Sequence, residues 1–176
     1  MSDTKQPLAE EVELWTKYLA VAEDFRKMRR ELRRRSCDRS EVIVELLRRS
    51  LSIPEEKDVA LDFVPALTLG AQQELFDVLL PLAADLDIGS VNRAEQIILS
   101  FPRDWLVEKL EDAARMFLDG ERDISAEIMG LYFQADKALA RRLAEKAKSS
   151  ADASRRDLGE FFLKKLNQQE TQAKDV

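Results

Sequence analysis

Apolar residues recur three or four positions apart from the first stretch of the chain onward. Leu8, Val12, Trp15, Leu19, Ala22, Phe25, Met28 and Leu32 keep that spacing, which predicts one long amphipathic helix over residues 8–35. In its second half Phe25, Met28 and Leu32 share a face, while Arg26, Arg29, Arg30, Arg33 and Arg34 fan across another. Residues 36–40 are expected to break it. Asp38 or Ser40 is placed to cap a second helix over 41–52, with Ile43, Leu46, Leu47 and Leu51 inward. Pro54 ends this hairpin and opens a helix over 55–69, with Glu55, Glu56 and Asp58 in its favourable first turn. Val59, Phe63, Val64 and Leu67 form its apolar side; Pro65 is expected to kink or split it, and Gly70 to stop it. Further helices are predicted over 71–86, 90–100, 103–118, 122–134, 136–149 and 152–167. Their connections are as short as those of antiparallel neighbours.

The pattern is all-α, with runs of strand-forming residues scarce. It divides the chain into a disordered leader (1–7), a helical hairpin with a basic stripe (8–53), helical repeats (54–167) and a polar tail (168–176) that frays from Asn167. Together these make one compact unit.

Two segments repeat. Laying 123–133 over 152–162 pairs Asp123 with Asp152 at the cap position, Ser125 with Ser154, and Met129 with Leu158. It also pairs Gly130 with Gly159, Tyr132 with Phe161, and Phe133 with Phe162. Glycine inside a helix costs about 1 kcal/mol relative to alanine. Its recurrence at one register predicts that both glycines lie close against a neighbouring helix. A fainter copy over 91–101 pairs Ala94 with Ala126, Ile97 with Met129 and Phe101 with Phe133, with Ile98 in place of the glycine.

The segment Leu79-Leu80-Pro81-Leu82, then Asp87, then Val91-Asn92-Arg93-Ala94 and Ile97-Ile98-Leu99 resembles the unit of HEAT-like helical repeats. In that family a first helix, often kinked by proline, leads through an Asp-containing turn to a second helix with a Val-x-Arg-like start. The resemblance covers about 70–166, with later copies over 103–133, where Asp119 stands in the turn, and 136–166. The pattern departs in two places: Ala126 holds the register of Arg93, and the turn at 149–151 lacks the aspartate. The resemblance implies a short right-handed α-solenoid of antiparallel helix pairs, capped by the amino-terminal hairpin, with three units, about the number that stacking needs. It further implies a binding groove lined by the helices at 90–100, 122–134 and 152–167, exposing Arg93, Glu127, Arg155, Arg156 and Glu160.

Composition narrows the chemistry. There is no histidine and one cysteine, which excludes standard zinc sites and Ser-His or Cys-His catalysis. A single cysteine makes no internal disulfide, and neither a signal-like start nor an apolar run of membrane-spanning length is present. A cytoplasmic location is the expectation. The formal charge of −6 is unevenly spread: residues 26–49 hold ten bases and four acids, residues 50–136 eighteen acids and six bases. Such a division suggests internal docking, self-association or a steered partner.

The strongest chemical feature is the stripe of Arg26, Lys27, Arg29, Arg30, Arg33, Arg34, Arg35 and Arg39, whose guanidinium groups suit carboxylates or phosphates. It reads as a solvated or internally paired face, as a site for an acidic protein or a second copy, or as a nucleic-acid contact. The acidic pI and the absence of interleaved aromatics weigh against the last. One local resemblance favours it: residues 38–51 look like the second helix of ribbon-helix-helix DNA-binding proteins, which also need a preceding strand. Only the weak alternation of Val12, Leu14, Thr16 and Tyr18 offers one.

Other candidates have plainer explanations. The acidic turn 119–123 fails as a calcium loop, since Ile124 and Gly130 fall where glycine and an acid are required. Trp15 and Trp105 fit apolar helical faces and are expected in the core. Glu108, Glu111 and Asp112 read as a solvated face. Cys37, between Arg35 and Arg39, has an electropositive setting of the kind that activates thiols, but no catalytic partner.

The expected function is therefore a non-enzymatic protein–protein interaction module, a scaffold, adaptor or regulatory binding protein, without catalytic, cofactor-binding or metal-ligating residues. Arg26, Arg29, Arg30, Arg33, Arg34, Arg93, Arg155 and Arg156 are the partner-binding candidates. The expected partner is a protein with an acidic surface or a second copy of the chain. Nucleic-acid binding through the Arg-rich hairpin is the alternative, and neither a membrane nor a small-molecule substrate is indicated.

Overall fold

Thirty residues, Ala9–Asp38, form the first and longest helix, α1. It belongs to a computed structural model that describes residues 8–84, 88–119 and 124–172, among which every regular element is helical. The Glu11 carboxylate accepts the Leu8 backbone N–H at 2.9 Å and closes the first turn. At the other end the break expected over 36–40 falls at Arg39, three residues later than the expected helix end at Arg35. The Ser36 hydroxyl is buried and donates to the Arg33 carbonyl at 2.7 Å, so serine completes the last turn instead of interrupting it. The ribbon-helix-helix reading loses its strand, because residues 12–18 lie within this helix.

The chain turns only at Arg39 (φ −141°, ψ 53°), and α2 (Ser40–Leu51) starts with no side-chain cap from Asp38 or Ser40. It buries Ile43, Val44, Leu47 and Leu51, whereas Leu46, expected inward, faces solvent. Pro54 opens α3 (Pro54–Phe63), as its preset φ suits a first helical position. Pro65 ends that element inside a 3-10 turn, Val64–Ala66. Gly70 does not act as a stop. The Thr68 hydroxyl accepts the Ala71 N–H, and Gly70 lies within the α4 turn (Leu69–Gln73). The helix expected over 71–86 is thus two pieces, α4 and α5 (Phe76–Leu82).

The remaining elements follow the apolar periodicity closely: α6 (Ile88–Leu99), α7 (Arg103–Leu118), α8 (Ala126–Ala135), α9 (Lys137–Lys148) and α10 (Ala153–Gln172). Their caps are explicit. Ser125 accepts from the Ile128 N–H, Asp136 from Leu139 at 2.8 Å, and Asp152 from Arg155 at 2.9 Å. Asp87 and Asp123 lie outside the described residues. No fraying begins at Asn167: Arg141 of α9 holds Asn167 and Glu170, and Leu166 is buried, so α10 runs on to Gln172.

One contiguous apolar core runs from Ile43 to Leu166. Along it α1 packs on α2, α2 on α3, and α3 and α5 on α6; α6 then packs on α8, α7 on α9, and α8 on both α9 and α10. Trp105 meets Phe76 and Phe101 edge-on, with centroids 5.5 and 5.1 Å away, in keeping with its expected packing role. Tyr132 is fully buried and its hydroxyl donates to the Leu110 carbonyl at 2.9 Å; burial, with a smaller contribution from Glu111, pushes its phenol pKa above the usual value.

Helices α9 and α10 pack backbone against backbone, with Gly159 lying on Ala144 and Lys148. A Cβ on Gly159 would fall 2.5 Å from the Ala144 carbonyl oxygen and the Lys148 amide nitrogen. A Cβ on Gly130 would meet only the Glu95 carboxylate, at an ordinary 3.9 Å. The two glycines share a sequence register but not a close approach, and the expectation holds for Gly159 alone.

Candidate interaction surface

The basic stripe is a ladder internal to α1. Glu23 pairs with Arg26 at 3.2 Å and Arg30 at 3.4 Å, Asp24 with Lys27 at 3.4 Å, and Glu31 with Arg34 at 2.9 Å and Arg35 at 2.8 Å. Most of these are neighbours three or four residues apart on one helix, where opposite charges meet. The hydrogen bonds of Arg34 and Arg35 hold the Glu31 carboxyl down to about 2, and those of Arg26 lower Glu23. Among the described residues the acidic middle of the chain takes no part except that Arg29 donates to the Asp62 carbonyl at 3.1 Å, tying α1 to α3. Arg33 makes no ion pair among the described residues.

The other three candidate arginines are occupied within the chain. Arg93 sits between Asp58 (3.3 Å) and Asp62 (3.4 Å) and fastens α6 to α3. Arg156 donates to the Ser150 and Ala151 carbonyls ahead of α10, and half-buried Arg155 supplies the N–H that Asp152 caps. The structure therefore gathers Arg26, Arg29, Arg30, Arg33 and Arg34 on α1 and brings Arg93 to Arg29 through Asp62, which takes Arg93 at its carboxylate and Arg29 at its carbonyl, while Arg155 and Arg156 stand on α10. Glu111, read as solvated, is engaged by Arg142 across α7 and α9; that hydrogen bond raises the guanidinium pKa. On α6, Glu95 has its carboxyl pKa raised by partial burial and then by the charge of Glu127 on α8.

What periodicity missed is the exposure of the apolar side of α1. Trp15, expected in the core, is 60% exposed and stacks only on Tyr18, with centroids 5.3 Å apart. The single apolar stripe read from the sequence is two stripes. Leu8, Val12, Trp15 and Leu19 form one; Leu14, Tyr18, Val21, Phe25, Met28 and Leu32 form another, spaced 4-3-4-3-4. All ten side chains are at least 42% exposed. The first signal of this was available: Leu14, Tyr18 and Val21 add a second apolar line to a helix with only short segments left to cover it.

The second stripe runs into an open groove of about 520 Å³ between α1, α2 and α3. Phe25, Met28 and Leu32 form one wall; Leu46 of α2 and Val59 of α3, both more than half exposed, form the others over a floor of Leu47 and Phe63. The lining is overwhelmingly apolar. Such a surface suits an amphipathic helix or another apolar occupant, and offers little to orient a polar substrate.

Among the described residues no three His, Cys, Asp or Glu side chains are arranged to hold a metal ion, and no helix is long and apolar enough to cross a membrane. No family model matches the chain, and no curated protein or solved structure matches it.

Proposed function

We propose that this chain is a non-enzymatic protein–protein interaction module in which α1 is the docking element and the remaining helices are its support. The observation that carries the reading is the display of nine large apolar side chains along one thirty-residue helix, with Leu8 at its cap as a tenth. Exposed apolar surface of that extent is costly in water and marks a place that another macromolecule covers. The guanidinium ladder on the same helix adds charge selectivity for an acidic partner surface.

In this reading α6, α8 and α10 form one layer of a HEAT-like solenoid, and α7 and α9 belong to the other, as antiparallel pairs. The contacts of α6 with α8, α8 with α10 and α7 with α9 support that arrangement. The Arg93 bridge to Asp58 and Asp62 then joins the hairpin region to the stack.

Affinity capture from the native host tests the reading. Wild-type chain is compared with Arg26, Arg29, Arg30, Arg33 and Arg34 changed to Glu, and with Trp15→Glu/Leu19→Glu. Partners lost from both variants support α1 as the docking element. Identical partners on all three chains would remove it. Labelled DNA and RNA at low salt serve as the nucleic-acid arm, where phosphate contacts give steep salt dependence.

A further inference from the structure

We propose that α1 pairs antiparallel with α1 of a second copy of this chain, the amino-terminal half of each filling the groove of the other. The inference rests on the reading of α1 as a docking element and names its occupant.

The stripe Leu14, Tyr18, Val21, Phe25, Met28 and Leu32 is spaced 4-3-4-3-4, the repeat that keeps an apolar seam facing a partner helix. The spacing reads the same from either end. Opposed antiparallel about a two-fold axis, Leu14 meets Leu32, Tyr18 meets Met28 and Val21 meets Phe25, each twice. Half of this stripe, Phe25 to Leu32, already forms a groove wall. The other half continues along the same helical line and stays open to solvent: Leu14 is 70% exposed, Tyr18 61% and Val21 69%. One half is thus a wall awaiting a helix, and the other a helix awaiting a groove.

Charge selects the antiparallel sense. Residues 9–24 of α1 hold five acids and one base; residues 25–38 hold seven bases and two acids. A parallel pair would set acidic half against acidic half and basic against basic. The antiparallel pair sets each acidic half beside a basic one. At the flanks of the seam it brings Lys17 of one copy to the height of Glu31 of the other, and Trp15 to the height of Arg29, a cation–π arrangement. Six stripe side chains at roughly half exposure, with Leu46 and Val59, supply roughly 700–900 Å² per copy, which reaches the size of a specific interface.

Sedimentation equilibrium of the full chain across the micromolar range is the test. The expected species has twice the 20.2 kDa chain mass. Val21→Glu, at an exposed position that leaves the core intact, is expected to weaken association by more than roughly tenfold with unchanged helicity. Lys17→Glu and Glu31→Lys are each expected to self-associate poorly, because like charges then face each other twice. Mixed together they should form a heterodimer, since both facing pairs become opposite in sign. A parallel pair would not be weakened by either single substitution, because positions 17 and 31 would each face their own copy with like charge in wild type and variant alike.

A wild-type chain that stays monomeric overturns the proposal, as does a dimer undiminished by Val21→Glu, or a mixture no tighter than its components. If the monomeric chain still captures a host protein through α1, self-pairing falls while the docking role stands. If α1 variants change neither result, both fall.

Discussion

Gly159 of α10 lies so close to Lys148 of α9 that a Cβ would come within 2.5 Å of the lysine amide nitrogen. The obstructing atoms are backbone, which cannot swing aside as a side chain can. Gly159→Ala is therefore expected to cost about 3 kcal/mol through overpacking. Gly130→Ala meets only the mobile carboxylate of Glu95, and is expected to stabilise by about 0.5–1 kcal/mol through helix propensity. Urea denaturation of the two variants separates them; equal effects would mean that α9 and α10 are not in close backbone contact.

Tyr132→Phe isolates one buried hydrogen bond. The ring and its edge-on contact with Phe117 remain, while the donor to the Leu110 carbonyl is lost. A loss of about 1 kcal/mol is expected, the usual net value of such a bond. An unchanged denaturation midpoint would assign Tyr132 a purely apolar role.

The helix caps predict a contrast between α9 and α2. Asp136→Ala removes the acceptor for the Leu139 N–H and is expected to cost about 1 kcal/mol. The start of α2 has no such acceptor, so Arg39→Asp is expected to add about 0.5–1 kcal/mol. Thermal melts of both variants check the pair, and a destabilised Arg39→Asp would show that the Arg39 turn cannot support a cap.

Two carboxylates predict opposite responses to acid. Glu31 titrates lower in the folded chain than in the unfolded one, so its contribution is complete above about 4.5 and is lost as pH falls toward about 2. Glu95 titrates higher when folded. Its charged form opposes folding at neutral pH, and that penalty is relieved as pH falls through its raised pKa toward 4.5. Glu31→Gln should flatten the acid loss of helicity near residues 27–35, followed by NMR. Glu95→Gln should raise the melting temperature at pH 7. A lower melting temperature for Glu95→Gln would mean that the Glu95 charge is held favourably.

The sequence makes α7 and α9 legible almost to the residue, because apolar periodicity, flanking polar residues and short connections all agree there. The break expected over 36–40 comes only at Arg39, because the Ser36 hydroxyl satisfies the carbonyl three residues back and carries the helix past Arg35. The partners of the basic stripe were legible at three- and four-residue spacing in Glu23 and Glu31. The bridge from Arg93 to Asp58 was not, since it spans 35 residues and depends on how α3 meets α6. Trp15 marks the main limit. A periodic apolar face shows that a helix needs a neighbour, but not whether that neighbour belongs to the same chain.

The unaccompanied half of α1 has a thermodynamic consequence. Helices of about 12–15 residues without tertiary support are marginal in water, and residues 9–21 form a run of that length. Under the proposed self-pairing, their coil–helix equilibrium is governed by occupancy of the seam, and protein concentration becomes a conformational variable. Cleavage after Lys17 by trypsin would slow as the chain is concentrated, turning a peptide bond far from the core into a gauge of mass action.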